Sequence, residues 1–311
     1  MAGSQKAAGL MTRTLIHTAA TLHYIDGLPQ IEVARRMEMS TASVSRLLAR
    51  ARDEGIVRFE VSPLEEVSDA DDQLANAMGL RQLRAIETAR QPALSIAVGA
   101  LIREADLPPN PVISIGWGRA VQSVVSHGLP VIANAIVVPS TGGLNQTQAH
   151  FQINEFVRNA AEQIGGTAHL LYAPARPGPE LFAQLLRDPQ TAEVIRLWDR
   201  VDVAVTGVGN FPDTSAETSL GFTQSDAGRV AGDVVRQYFD KDGAPMTWPG
   251  QQFQLGMSRS QLARVPLAIG VCVGADKVDA AIGAAQSGMV NTLVTDIRTA
   301  QLIRKKLGLP G

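Results

Sequence analysis

One cysteine, Cys272, stands in a chain of 311 residues. A lone thiol excludes an internal disulfide framework and fits a reducing cytoplasm, and its position inside an apolar run points to packing rather than to a nucleophile. No apolar run approaches the ~20 residues that a membrane helix needs. The opening residues show no leader pattern of basic start, apolar middle and small-residue cleavage site. A cytoplasmic chain with no membrane partner is therefore expected. Charge of one sign is also scarce: the formal net charge is −2, which excludes a general polyanion binder. His17 and His23 have no ligand partner spaced nearby, so neither a metal nor a cofactor is expected. There is no internal repeat and no long low-complexity tract.

Apolar residues make up 45% of the chain, enough at this length for a large core and two domains. Residues 1–62 carry 8 positive and 6 negative charges, and the remainder carries 20 and 24. The positive excess sits at the start, where the stretch LPQIEVARRMEMSTASVSRLLARARDE runs from Leu28 to Glu54. Ile31, Val33, Ala34 and Met37 recur at helical spacing and stop; Val44, Leu47, Leu48 and Ala51 begin a second periodic run. Pro29 suits the first turn of the first helix, since its missing N–H needs no partner there. Ser40 or Thr41 can cap the second by accepting from orphan backbone N–H groups. Two short helices joined by about four residues predict a helix-turn-helix, whose second helix fits the DNA major groove. Thr41, Ser43, Ser45, Arg46 and Arg50 form its exposed face, and no acid occurs from Ser40 to Arg52. Arginine pairs with guanine and hydroxyls reach base edges or phosphates, whereas a carboxylate would be repelled. An ordinary helical hairpin with a solvated basic face is the bland alternative.

A helix over Met11–Asp26, with Leu15, Ala19, Leu22 and Ile25 inward, would complete a three-helix core, and Ile56–Val61 alternates like a small wing. The expected organisation is a DNA-binding domain over residues 1–62, a connector over 63–81 and an α/β domain over 82–311. In the last, short apolar strands alternate with helical runs, which predicts a parallel sheet with helices on both faces. Strands are expected at Leu83–Glu87, Val112–Ile115, Ala135–Val138, Ala168–Tyr172, Val201–Thr206, Leu267–Val273 and Thr292–Thr295. Helices are expected at Ser95–Ala105, Phe151–Ile164, Ala227–Tyr238 and Lys277–Ser287.

In such sheets ligands collect outside the carboxyl ends of the strands. Four loops fall there: SIGWGRA with Gly116, Trp117, Gly118 and Arg119; PSTGGLN with Ser140, Thr141, Gly142 and Gly143; TGVGN with Gly207 and Gly209; and GADK with Asp276 and Lys277, followed later by Asp296. Exposed amides at helix starts attract anions, and hydroxyls and carboxylates suit sugar hydroxyls. Each loop alone has a steric explanation. Four in register predict a polar-ligand pocket.

With these segments in place, the chain resembles the SorC family of sugar-responsive bacterial transcription regulators across nearly its whole length. The segments that carry the resemblance are IDGLPQIEVARRMEMSTASVSRLLARARDEGIV, SIGWGRA, STGGLN, TGVGN, RVAGDVVRQYFDKDGAPM (Arg229–Met246) and GADKVDAAIGAAQSGMVNTLVTD (Gly274–Asp296). The resemblance implies a winged-type helix-turn-helix followed by an effector domain of the sugar-phosphate isomerase/deaminase-like fold. It implies a homo-oligomer, dimer or tetramer, that binds double-stranded operator DNA, as a repressor or an activator, under the control of a sugar, polyol or sugar phosphate. Ala120 and Ala275 depart from the family pattern, which usually has Thr and Gly at these places; the first loop so loses a hydroxyl. A sugar-phosphate isomerase or deaminase with an appended DNA-binding domain is the competing reading, with Asp276, Lys277 and Asp296 as its chemistry. The attached DNA-binding domain favours a sensor that is not an enzyme. The apolar face of the connector, Val67, Leu74 and Met78, suits either a dimer seam or packing onto its own domain.

Overall fold

The computed structural model describes residues 13–58, 69–87, 92–144, 152–210, 222 and 224–310. Two compact units are present, Met1–Glu66 and Val67–Gly311.

In the smaller unit α1 covers residues 13–20 and runs into a π-helical turn, Thr21–Ile25; α2 is Gln30–Arg36 and α3 is Thr41–Asp53. Ser40 is the cap of α3: its Oγ accepts from the Ser43 amide at 3.1 Å. Glu38, at φ 50°, turns the chain between α2 and α3 in the left-handed region. Ile16, Ala19 and Ala20 close over Val33 and Ala34 of α2 and Val44, Leu48 and Ala51 of α3. The expected inward face of α1 needs correction, because Leu15 is exposed and Ile25 is 79% exposed. Small alanines meet α2 and α3 in place of the larger leucine. The π turn then adds a residue to the helical period, so the apolar phase read at 3.6 residues fails beyond it. Ile31 is likewise 72% exposed. Residues 56–58 form no strand; Ile56 and Val57 fold back onto the core. The rest of the expected wing, and the boundary stretch to residue 68, lie outside the described residues.

The larger unit opens with α4, Asp69–Met78. Leu74 and Met78 are buried in this unit's own core, so they are not free to form a dimer seam; Val67 lies outside the described residues. The sheet strands are β1 Gln82–Ile86, β2 Val112–Ile115, β3 Ile136–Pro139, β4 Thr167–Ala168, β5 Val201–Asn210, β6 Val230–Val234, β7 Gln237–Asp240, β8 Leu267–Val271 and β9 Thr292–Asp296. The helices are α5 Pro92–Glu104, α6 Arg119–His127, α7 Ile153–Ile164, α8 Pro179–Leu185, α9 Pro189–Trp198, α10 Gln224–Ala227, α11 Arg259–Arg264, α12 Val278–Gln286 and α13 Ile297–Lys306. The order β1-β9-β8-β5-β2-β3-β4 is parallel throughout. Strand alternation divides the core in two. Ile113, Ile115, Val137, Val203 and Val205 face α5, α6 and α7. Val112, Val138, Ala204 and Leu293 face α4, α9, α12 and α13.

Two expected elements are replaced. The helix read over Ala227–Tyr238 is instead the antiparallel hairpin β6–β7, paired onto the end of β5. Val235 (φ 53°) and Arg236 (φ 61°) make its two-residue turn, with both residues left-handed as a type I′ turn requires. Gly232 allows the close approach to β5: a Cβ there would stand 2.4 Å from the Gly209 carbonyl oxygen. The strand read over Ala168–Tyr172 shrinks to Thr167–Ala168, because the Asn154 amide then takes both the N–H and the C=O of Leu171.

Candidate functional site

Chain order reverses in the middle of the sheet. From β2 the chain moves outward to β3 and β4, returns as β5 on the other side of β2, and continues to β8 and β9. Loops leaving β2 and β5 therefore part company there and open a crevice at the carboxyl ends, where open α/β sheets hold ligands.

Three of the four predicted loops meet at this point. Gly116 donates its amide to the Val205 carbonyl at 2.8 Å, and a Cβ on it would press on Thr206. Gly207 lies against the Trp117 carbonyl, which a Cβ would approach to 2.9 Å. Gly118, at φ 118°, starts α6, with Arg119 exposed behind it. Trp117 is half-buried and packs against the α5–α7 core. At the far end of β5, Asn210 reaches the turn after β8: Lys277 Nζ donates to its Oδ1 at 2.6 Å, and its Nδ2 donates to Asp276 Oδ2 at 2.8 Å. Gly209 is overlain by the Asp233 carboxylate of the hairpin. Asn210 was not among the residues singled out from the sequence. It stands inside the TGVGN segment, but nothing in one dimension links it to residue 276.

The second loop is spent on structure. Gly142 donates to Leu255 O at 2.9 Å and Gly143 to Ala173 O at 2.8 Å, while Thr141 Oγ1 donates to Leu255 O. Ser140 and Thr141 are fully buried. The amides of Gly142 and Gly143 are thus committed within the fold and are not a ready cradle for a phosphate. Ser140 Oγ is buried without a hydrogen-bond partner among the described residues. Asp296 is also committed: its carboxylate caps α13 through the Thr299 amide at 2.9 Å and accepts from the Gly274 amide and the Thr299 hydroxyl. Cys272 is buried, and desolvation pushes its thiol up to about 12.

A cleft of about 370 Å³ opens elsewhere, beyond β4, between Leu170, Tyr172, Leu181, Leu185 and Asp188. None of the predicted effector residues lines it. The Asp188 carboxyl there is held low by the hydrogen bond it accepts from the Thr191 amide at the start of α9. The crevice between β2 and β5 is the better candidate, because among the described residues three of the predicted loops bring charged side chains and glycine backbone together there.

In the smaller unit Thr41, Ser45, Arg46 and Arg50 are exposed along α3 and Ser43 is half-buried. Arg46 donates to Ser43 Oγ at 3.2 Å, and Arg50 donates to Glu54 Oε1 at 3.0 Å through Nε. The buried stripe Val44, Leu48 and Ala51 fixes which face is presented. Among the described residues no group of His, Cys, Asp and Glu is clustered to hold a metal, and no helix is long and apolar enough to cross a membrane.

A family model described as "Putative sugar-binding domain" matches residues 62–304. The chain is 28% identical to the sorbitol operon regulator of Klebsiella pneumoniae over 309 residues, covering 94% of this chain and 98% of that one. It is 26% identical to the transcriptional regulator LsrR of Escherichia coli K12, covering 95% and 96%. The crystal structure of the full-length K. pneumoniae regulator superposes with a TM-score of 0.71 at 27% identity, over 93% of this chain and 98% of that chain.

Proposed function

Since this chain belongs to the SorC family of transcription regulators, whose sugar-binding domain model matches residues 62–304, we propose that it binds operator DNA through α3 and that a small polyhydroxylated effector controls that binding. Residues 1–62 are the DNA-binding domain of the helix-turn-helix type, 63–81 the connector, and 82–311 the effector domain, of the sugar-phosphate isomerase/deaminase-like type. The effector is a sugar, polyol or sugar phosphate. The observation that carries the reading is the meeting of Gly116–Arg119, Gly207–Asn210 and Asp276–Lys277 at the reversal of strand order.

A monomer presents one recognition helix, which seldom gives tight specific binding at physiological salt. The working form is therefore a symmetric oligomer with half-sites about one helical turn apart. Effector binding acts by favouring one of two states that differ in DNA affinity. The sensor reading is preferred over an isomerase because general-base catalysis needs a carboxylate free to take a proton. Asp296 is occupied as a helix cap, and Asp276 is tied to an amide.

Gel-shift titration against the upstream region of its own operon, with hexitols, pentoses, hexoses and their phosphates added in turn, is the test. At least one should change the fraction of DNA bound. DNA binding unmoved by the whole panel rejects effector control, and product formation seen by NMR at enzyme-like rates transfers the protein to the isomerase class.

A further inference from the structure

We infer that Glu54 is a specificity-determining residue: it holds Arg50 back from sequence-independent phosphate contact and leaves base reading by Arg46 to decide where α3 binds. The inference rests on the DNA-binding reading above and gives a part in it to a positioning residue that touches no base.

Arg50 donates to Glu54 Oε1 through both Nε and Nη2, at 3.0 and 2.5 Å, one turn apart on α3. Arg46 is bonded differently. Its Nη2 donates to the Ser43 hydroxyl at 3.2 Å, and that hydroxyl lies 2.9 Å from the hydroxyl of the Ser40 cap. Arg46 thus has a neutral partner and keeps its full charge, while Arg50 has a carboxylate against it. Arg46 also lies in the N-terminal half of α3, the part of a recognition helix that meets base edges, and Arg50 lies beyond it.

Helix stability does not explain the Arg50–Glu54 pair. Glu54 is the C-cap of α3, where the negative end of the helix dipole disfavours a carboxylate. The order is also the weaker one, because an acid placed four residues before a base is the better arrangement. α2 supplies the contrast. Glu32 stands in its first turn and accepts from Arg35 Nε at 3.0 Å, with Arg36 3.6 Å away. There the acid precedes its bases and sits at the positive end of the dipole. On α3 the acid stands against the dipole, in the poorer order, directly after the acid-free run Ser40–Arg52.

What this placement supplies is restraint of one cation. Sequence-independent binding is made of phosphate contacts, and the helix can settle wherever its arginines reach them. Operator binding is held in one place by hydrogen bonds to base edges, so Arg50 gains there only where a phosphate falls within its reach. An unrestrained Arg50 would therefore strengthen wrong sequences first.

The test is fluorescence anisotropy of the full-length protein with two duplexes, the upstream region of its own operon and a shuffled sequence of equal composition, from roughly 50 to 200 mM KCl. Glu54→Gln should tighten the shuffled duplex about fourfold, roughly twofold for each of two engaged helices, and the operon duplex by less than about twofold. The salt slope on the shuffled duplex should steepen by roughly 0.9 for each Arg50 that gains a phosphate. In an Arg50→Ala background Glu54→Gln should change nothing, since the carboxylate acts through Arg50. Asp53→Asn removes the same charge from an exposed residue outside the pair and should leave discrimination as in wild type. Glu54→Gln should melt at or above the wild-type temperature; a lower one would make Glu54 a brace of α3 and overturn the inference. Equal tightening of both duplexes, no tightening of either, the same gain with Arg50 absent, or an equal effect of Asp53→Asn also overturns it and leaves the DNA-binding reading standing. Wild type that does not distinguish the two duplexes overturns both.

Discussion

Gly142→Ala should unfold the larger unit more easily rather than merely dull a binding site. A Cβ on Gly142 would stand 2.6 Å from the Ala173 oxygen, 2.7 Å from the Pro174 carbonyl carbon and 2.8 Å from the Ala175 nitrogen. All three are backbone atoms, with no flexible side-chain end to swing aside. Ordinary contact begins at 3.4 Å, so the loop backbone at residue 142 and that at Ala173–Ala175 must part by about 0.8 Å. Overpacking of that kind costs about 1–3 kcal/mol. The parting also strains the bonds from Gly142 to Leu255 and from Gly143 to Ala173, and losing one of them costs about 0.5–1.5 kcal/mol. A total of about 2–4 kcal/mol results. Trp117, Trp198 and Trp248 all lie in the larger unit, so tryptophan fluorescence in urea follows that unit specifically. With a slope of roughly 3 kcal/mol per molar urea for a unit of this size, the midpoint should fall by about 1 M. Gly143→Ala is the control. Its Cβ meets only the Ala173 oxygen, at 3.9 Å, so the midpoint should move by less than about 0.2 M. Equal midpoints for the two variants would refute the argument.

Arg46→Ala and Arg50→Ala should weaken operator binding in gel shifts. Loss at a base-reading position costs about 1–3 kcal/mol of sequence discrimination, and loss at a phosphate weakens all sequences alike; unchanged affinity in both removes α3 as the reading helix. Glu38→Gly, which relieves a left-handed non-glycine residue in the turn before α3, should stabilise the smaller unit by about 0.5–1 kcal/mol, seen as a higher melting temperature by circular dichroism. Cys272, buried with its thiol pushed up to about 12, should label with iodoacetamide at pH 8 only after denaturation. Because folding favours the neutral thiol, its contribution to stability is intact below pH 9.0, the unfolded value, and is lost as pH climbs through about 12. Rapid labelling of the native chain would contradict the burial.

The parts of the fold that were legible in the sequence are those whose partners are generic. Val112–Ile115 reads as a strand because an unbroken apolar run bounded by polar residues needs only a parallel neighbour on each side, and the structure has it at those residues. The hairpin was illegible for the opposite reason. Val235 and Arg236 carry none of the Asn-Gly or Asp-Gly signal of a type I′ turn, and the pairing of Val208–Asn210 with Gly232–Val234 decides the conformation from outside the segment. On the first helix, Leu15 and Ile16 offered two apolar phases, and close approach to Val33 and Val44 selected the one lined by alanines. In the candidate site, glycine after a strand looked the same in all four loops. Gly207 lies against the Trp117 carbonyl beside the end of β2, whereas Gly142 lies against the backbone of Ala173–Ala175. Only the third dimension shows which stretch of backbone each glycine lets approach.

The length of β5 has a consequence for how the larger unit opens. Ten residues, Val201–Asn210, run roughly 30 Å in one extended piece. Its first part is flanked by β2 and β8 and its last three residues hold the hairpin. A strand shared in this way leaves no seam at which the hairpin could detach as a separate cooperative block. In native-state hydrogen exchange, the amides of β5 that bond to β6 should therefore behave like those bonded to β8, exchanging through the same rare opening, even though one set belongs to the centre of the sheet and the other to its rim.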